Sequence, residues 1–91
     1  MAIKRPLDDD SCTILICAVR YAIGRRTYIS AVVPPYVARY LEYMDDKSLY
    51  VLHRDIAECN DYGDDCDKAS WMNLLDAING EMNRRAKNAG E

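Results

Sequence analysis

Four cysteines and a single histidine are the residues of this 91-residue chain whose chemistry is most distinctive. Cys12 and Cys17, Cys59 and Cys66, with His53 nearby, could nominally supply four zinc ligands. Structural zinc sites take ligand pairs roughly two to four residues apart from knuckles or turns, and neither pair fits. The spacing predicts reduced thiols, mostly in or near the core, and no metal. A nucleophilic thiol needs positive surroundings, whereas Cys66 stands among Asp64, Asp65 and Asp67. His53 falls on the edge of an apolar face set by Leu49 and Ile56, which predicts a core-rim histidine bonded to a neighbour. The loop Asp61-Tyr-Gly-Asp-Asp-Cys-Asp67 is acidic enough for calcium, but its glycine comes too early. Met72 also stands where a closing glutamate belongs. Asp67 is expected to cap a helix, with Asp64 and Asp65 favouring that helix's positive end. No catalytic residue and no cofactor are expected.

Positive charge collects at Arg20-Tyr-Ala-Ile-Gly24-Arg25-Arg26-Thr-Tyr28, between two apolar segments. Residues 24–40 carry Arg25, Arg26 and Arg39 and no acid, a local +3. Residues 41–67 carry nine acids against Lys47 and Arg54, a local -7. Two readings of the arginines follow. They can neutralise the C-terminal end of the preceding helix. They can also anchor a protein interface together with Tyr28 and Tyr36, since arginine and tyrosine dominate binding energy at interfaces. The residues expected to meet a partner are Arg20, Arg25, Arg26, Tyr28, Tyr36 and Arg39, with Asp61, Asp64 and Asp65 from the acidic region. A DNA-reading helix after Gly24 is disfavoured, because Tyr28-Ile-Ser-Ala-Val-Val is short and apolar and two prolines follow.

The elements that must position these residues read as helices. Asp10 or Ser11 can cap a first helix, with Ile14, Cys17, Ala18 and Tyr21 at helical spacing. That segment is apolar nearly all round, which places it centrally, although residues 12–19 also suit a buried strand. Gly24 stops it in the left-handed conformation. Thr27 caps a short second helix interrupted by Pro34 and Pro35, and Pro35 opens a third, with Val37, Tyr40, Leu41 and Met44 inward. A fourth begins near Asp46 or Ser48 and turns Leu49, Leu52 and Ile56 inward. A fifth follows Asp67, with Trp71, Leu74, Leu75, Ile78 and Met82 inward and Gly80 tolerated. The expectation is an all-α, compact bundle of four to five short helices, or α+β if residues 12–19 form a strand. Residues 1–10 are expected as a flexible arm, 11–86 as one helical domain and 87–91 as a frayed tail.

Composition bounds the function. Nearly half the residues are apolar and 30% are charged, as in a compact domain. The net charge of -3 gives no general attraction to nucleic acid or to an anionic membrane. Pro6 and three aspartates stand where a signal peptide would be apolar, and Cys12 to Ile23 is too short to span a bilayer. A cytoplasmic location is expected. So small a core also allows completion by a homodimer.

The pattern Arg20-Tyr-x-x-Gly-Arg-Arg-Thr-Tyr28, followed by Gly63-Asp-Asp-Cys-Asp67 and Trp71, resembles a group of small phage and prophage proteins. These carry an R-Y-x-x-G-R-x-[TS]-Y motif and a D-C-D element shortly before a tryptophan. The resemblance spans residues 17 to 75 or so and implies a continuous helix where Pro34-Pro35 fall. It also implies a non-enzymatic accessory protein that binds a host machine. Inhibition of a bacterial defence complex, in the manner of anti-CRISPR proteins, is the leading expectation. The alternative is a small nucleic-acid-binding regulator using Arg20, Arg25 and Arg26 on phosphate.

Overall fold

The computed structural model describes residues 6–89. Among them α1 (Asp9–Ala22), α2 (Tyr28–Ala38), a 3-10 turn (Leu41–Tyr43), α3 (Asp46–Ala57) and α4 (Asp65–Ala89) form an all-α bundle. Residues 12–19 are helical, so the strand alternative is set aside. Helix α1 packs between α2 and α3, and α4 closes the opposite side against α2, α3 and the 3-10 turn.

Helix α1 starts earlier than expected. Asp8, not Asp10 or Ser11, is the N-cap, and its carboxylate accepts the Ser11 N–H at 2.7 Å. Leu7 packs against the core, and its N–H donates to the Tyr43 carbonyl at 2.8 Å. Residues 6–10 of the expected arm are therefore tied to the bundle, and residues 1–5 lie outside the described residues. At the other end α4 continues through the expected frayed tail to Ala89, with residues 90–91 outside the described ones.

The buried face of α1 also differs from the expected stripe. Cys12, Leu15, Val19 and Ala22 face the core, while Ile14, Cys17 and Tyr21 are exposed. Both sets recur at helical spacing, and in a helix apolar on every side the pattern alone cannot choose between them. The helix is accordingly not central.

The two prolines do not break α2. Pro34 and Pro35 sit in its interior. They withhold amide hydrogens from the carbonyls of Ser30 and Ala31, a loss of roughly 3 kcal/mol at each position in an isolated helix. Burial of Val33, Pro34 and Val37 against the bundle offsets it, at roughly 1.5–3 kcal/mol for each large side chain. A buried bond from the Trp71 indole Nε1–H to the Ser30 Oγ, at 3.1 Å, fixes α2 to α4. No third helix opens at Pro35; Leu41 and Met44 reach the core through the 3-10 turn instead.

Helices α3 and α4 follow the expected pattern inward: Leu49, Leu52, Ile56, Trp71, Leu74 and Ile78 are buried, with Leu75 and Met82 half-buried. Asp45 caps α3 through the Ser48 N–H at 2.9 Å. Asp67 lies within the first turn of α4 rather than capping it, because the helix already begins at Asp65. Near its far end Arg85 bonds Glu81 at 2.7 Å, Asp46 at 2.8 Å and the Leu41 carbonyl at 3.1 Å. One guanidinium thus clamps α4 to α3 and the 3-10 turn.

Candidate functional site

The arginine corner begins where α1 ends. Ile23 is extended and Gly24 has φ +83°, which with the Arg25 N–H to Ala22 carbonyl bond at 3.1 Å makes a type II turn. A second constraint acts on the same glycine: a Cβ there would lie 2.6 Å from the Asp61 carbonyl oxygen. The turn between α1 and α2 and the loop between α3 and α4 therefore touch backbone to backbone. Gly63, at φ +90°, belongs to the same junction, and a Cβ on it would lie 3.7 Å from the Arg25 carbonyl oxygen.

This closure brings together charges that look separate in sequence. Arg26 lies 3.4 Å from Asp61 and 3.6 Å from Asp64. Arg20 pairs with Asp55 on α3 at 2.6 Å. Arg25 turns back, its Nε–H donating to the Tyr21 carbonyl at 2.6 Å and its guanidinium lying 3.9 Å from the Tyr21 ring centroid. The Asp61 carboxylate accepts the Gly63 N–H at 2.9 Å, and that bond, then Arg26, holds it below the usual carboxylate range. The Cys59 thiol donates to the Asp61 carbonyl at 3.1 Å, and the Tyr62 hydroxyl to the Ile56 carbonyl. Arg20, Arg26, Asp61 and Asp64 are thus engaged with this chain itself. Asp65 is exposed at the start of α4.

The remaining expected partner residues lie on the outward face of α2. This helix contains no charged residue. Tyr28 is 81% exposed and Tyr36 50% exposed. Pro35 and Arg39 share that side of the helix and are exposed too. Arg39 makes no ion pair among the described residues; its guanidinium lies 5.9 Å from the Tyr36 ring centroid. The Tyr36 and Tyr40 rings are 5.2 Å apart and tilted by 52°, and the neighbouring Tyr40 hydroxyl raises the Tyr36 phenol. Tyr28, Pro35, Tyr36 and Arg39 make an aromatic and cationic strip on an otherwise uncharged helix.

The thiols and the histidine give less. All four cysteines are free, but Cys17 and Cys66 are exposed rather than near the core as expected. Among the described residues no three His, Cys, Asp or Glu side chains converge as metal ligands. His53 is half-buried at the core rim but makes no hydrogen bond with a described residue, unlike the expectation. The groove between α1 and α3 is lined by Asp9, Thr13 and Asp45 among others. Asp45 there is held below the usual carboxylate range by Ser48, so it serves as a cap. None of the described helices is long and apolar enough to cross a membrane.

Fold and surface together define a small all-helical bundle with one uncharged, aromatic outer helix. No family model, curated protein or solved structure matches the chain.

Proposed function

We propose that this protein is a non-enzymatic binding module that attaches through the outward face of α2 to an apolar protein surface bearing a carboxylate. The observation that carries the reading is a surface helix without a single charge, presenting Tyr28 and Tyr36 beside an Arg39 that has no acidic partner among the described residues. Tyrosine supplies large contact area with few rotatable bonds, and arginine gains most when a partner carboxylate meets it at the rim of a dry patch. Within the arginine corner, Arg20 and Arg26 already hold carboxylates of the same chain, which moves the proposed contact from the corner to α2. The resemblance to small phage and prophage proteins supplies the setting: a bacterial cytoplasm, with a nucleic-acid-targeting defence complex as the partner to be inhibited.

The test is nuclease-treated affinity capture from defence-active bacterial lysate with the wild type, Tyr36→Ala, Arg39→Glu and Arg26→Glu. A stoichiometric defence protein held by the wild type and Arg26→Glu, but lost with Tyr36→Ala and Arg39→Glu at unchanged helicity, supports the reading. Equal capture by all four overturns the α2 face. Capture lost on nuclease treatment transfers the function to the nucleic-acid regulator.

A further inference from the structure

Among the described residues helix α1 carries a second surface without a partner, independent of the α2 strip. Asp10, Ile14, Cys17 and Tyr21 are all exposed, Ile14 at 67% and Tyr21 at 56%. Their spacing keeps them on one stripe of the helix, opposite the buried Cys12, Leu15 and Val19. Arg25, stacked on the Tyr21 ring, extends the stripe past the helix end. The stripe thus runs acid, apolar, thiol, aromatic, cation.

Its order is nearly symmetric in a useful sense. Asp10 stands seven residues before Cys17, and Gly24, beside Arg25, stands seven after it. Ile14 stands three before Cys17 and Tyr21 four after. A two-fold axis at Cys17 therefore sets Asp10 against Arg25 of a second copy and Ile14 against Tyr21 of that copy, twice over. A parallel arrangement would instead set acid on acid and arginine on arginine.

We infer that the outward stripe of α1 is a self-complementary, antiparallel contact through which two copies of this chain associate. An isologous contact of this kind closes on itself and stops at the dimer. One helix packed on one helix, with axes roughly 8–10 Å apart, buries less than the roughly 1,200 Å² of a standard interface. The association is accordingly concentration dependent and in rapid exchange.

Sedimentation equilibrium over a wide concentration range reads it, on the wild type, Ile14→Glu, Asp10→Arg, Arg25→Asp and the Asp10→Arg/Arg25→Asp double variant. The Asp10, Ile14 and Arg25 side chains are exposed, so these variants leave the core intact, and far-UV circular dichroism checks this. The wild type is expected to dimerise, and each single variant to weaken the association about tenfold. The double variant, which restores the pairing with charges exchanged, is expected to return to within about threefold of the wild type. On a Cys59→Ser/Cys66→Ser background, a short bis-maleimide is expected to join two copies through Cys17. A chain monomeric at every concentration overturns the inference. So does a dimer indifferent to Ile14→Glu, or one that Cys17 cannot cross-link, since association would then use another face.

Discussion

Replacing Gly24 by alanine tests the closure between the two loops directly. The residue has φ +83°, and a methyl in that left-handed region costs about 1–2 kcal/mol. The new Cβ would also meet the Asp61 carbonyl oxygen at 2.6 Å, about 0.8 Å inside ordinary contact at 3.4 Å. That oxygen belongs to backbone, so the α3–α4 loop must move, loosening the Gly63, Cys59 and Arg26 bonds to Asp61 at about 1 kcal/mol or more. The sum is about 2–4 kcal/mol, against a total stability of roughly 5–14 kcal/mol for a chain of this length. With a urea slope near 1 kcal/mol/M for so small a protein, the unfolding midpoint is expected to fall by about 2–4 M. Gly80→Ala provides the opposite sign in the same protein. It sits mid-helix with nothing within 4 Å of a new Cβ, so removing glycine there is expected to stabilise by about 1 kcal/mol. A Gly24→Ala midpoint within about 0.5 M of the wild type would refute the backbone approach, since neither the torsion nor the contact could then be as described.

Ser30→Ala leaves the buried Trp71 indole N–H without its acceptor and is expected to destabilise by about 1–3 kcal/mol, read from urea unfolding followed by circular dichroism. Pro35→Ala restores an amide hydrogen inside α2 at an exposed position, and a gain of about 1–2 kcal/mol is expected by the same measurement. Ser11 holds Asp8, and Ser48 holds Asp45, below the usual carboxylate range. A lowered folded pKa contributes stability above the unfolded value, near ~3.9, and loses it as pH falls through the folded value. The melting temperature is therefore expected to drop below about pH 4, and Asp45→Asn, which keeps the cap but cannot titrate, to flatten that drop.

Much of the architecture is legible in the sequence because its signals do not compete. Helix α3 alternates strongly enough between apolar and polar that Leu49, Leu52 and Ile56 can face only one way. The long α4 is marked in the same manner by Trp71, Leu74 and Ile78. Where signals conflict, tertiary packing decides. The prolines argue for a break, and burial along α2 overrides them. In α1 two apolar stripes compete, and only the arrangement of α2 and α3 around it selects Cys12, Leu15, Val19 and Ala22. The site is less legible than the fold. Arg26 and Asp61 are 35 residues apart, and nothing local in either segment announces that they meet. The uncharged run of α2 is visible in the sequence, but its outward aspect is not. Arg85 gives no local hint that it ties three elements together.

The bond between Trp71 and Ser30 makes the protein its own optical gauge. Trp71 is the sole tryptophan, fully buried, and its indole nitrogen reports on the seat of α2 against α4. Emission from an indole sealed away from water lies toward the blue and moves toward the red once solvent enters. A ligand that rests on the outer surface of α2 without lifting it leaves that colour unchanged. One that peels the helix away to insert itself changes it at once. The fluorescence of a single residue thus separates docking on a rigid surface from opening of the bundle, with no label attached.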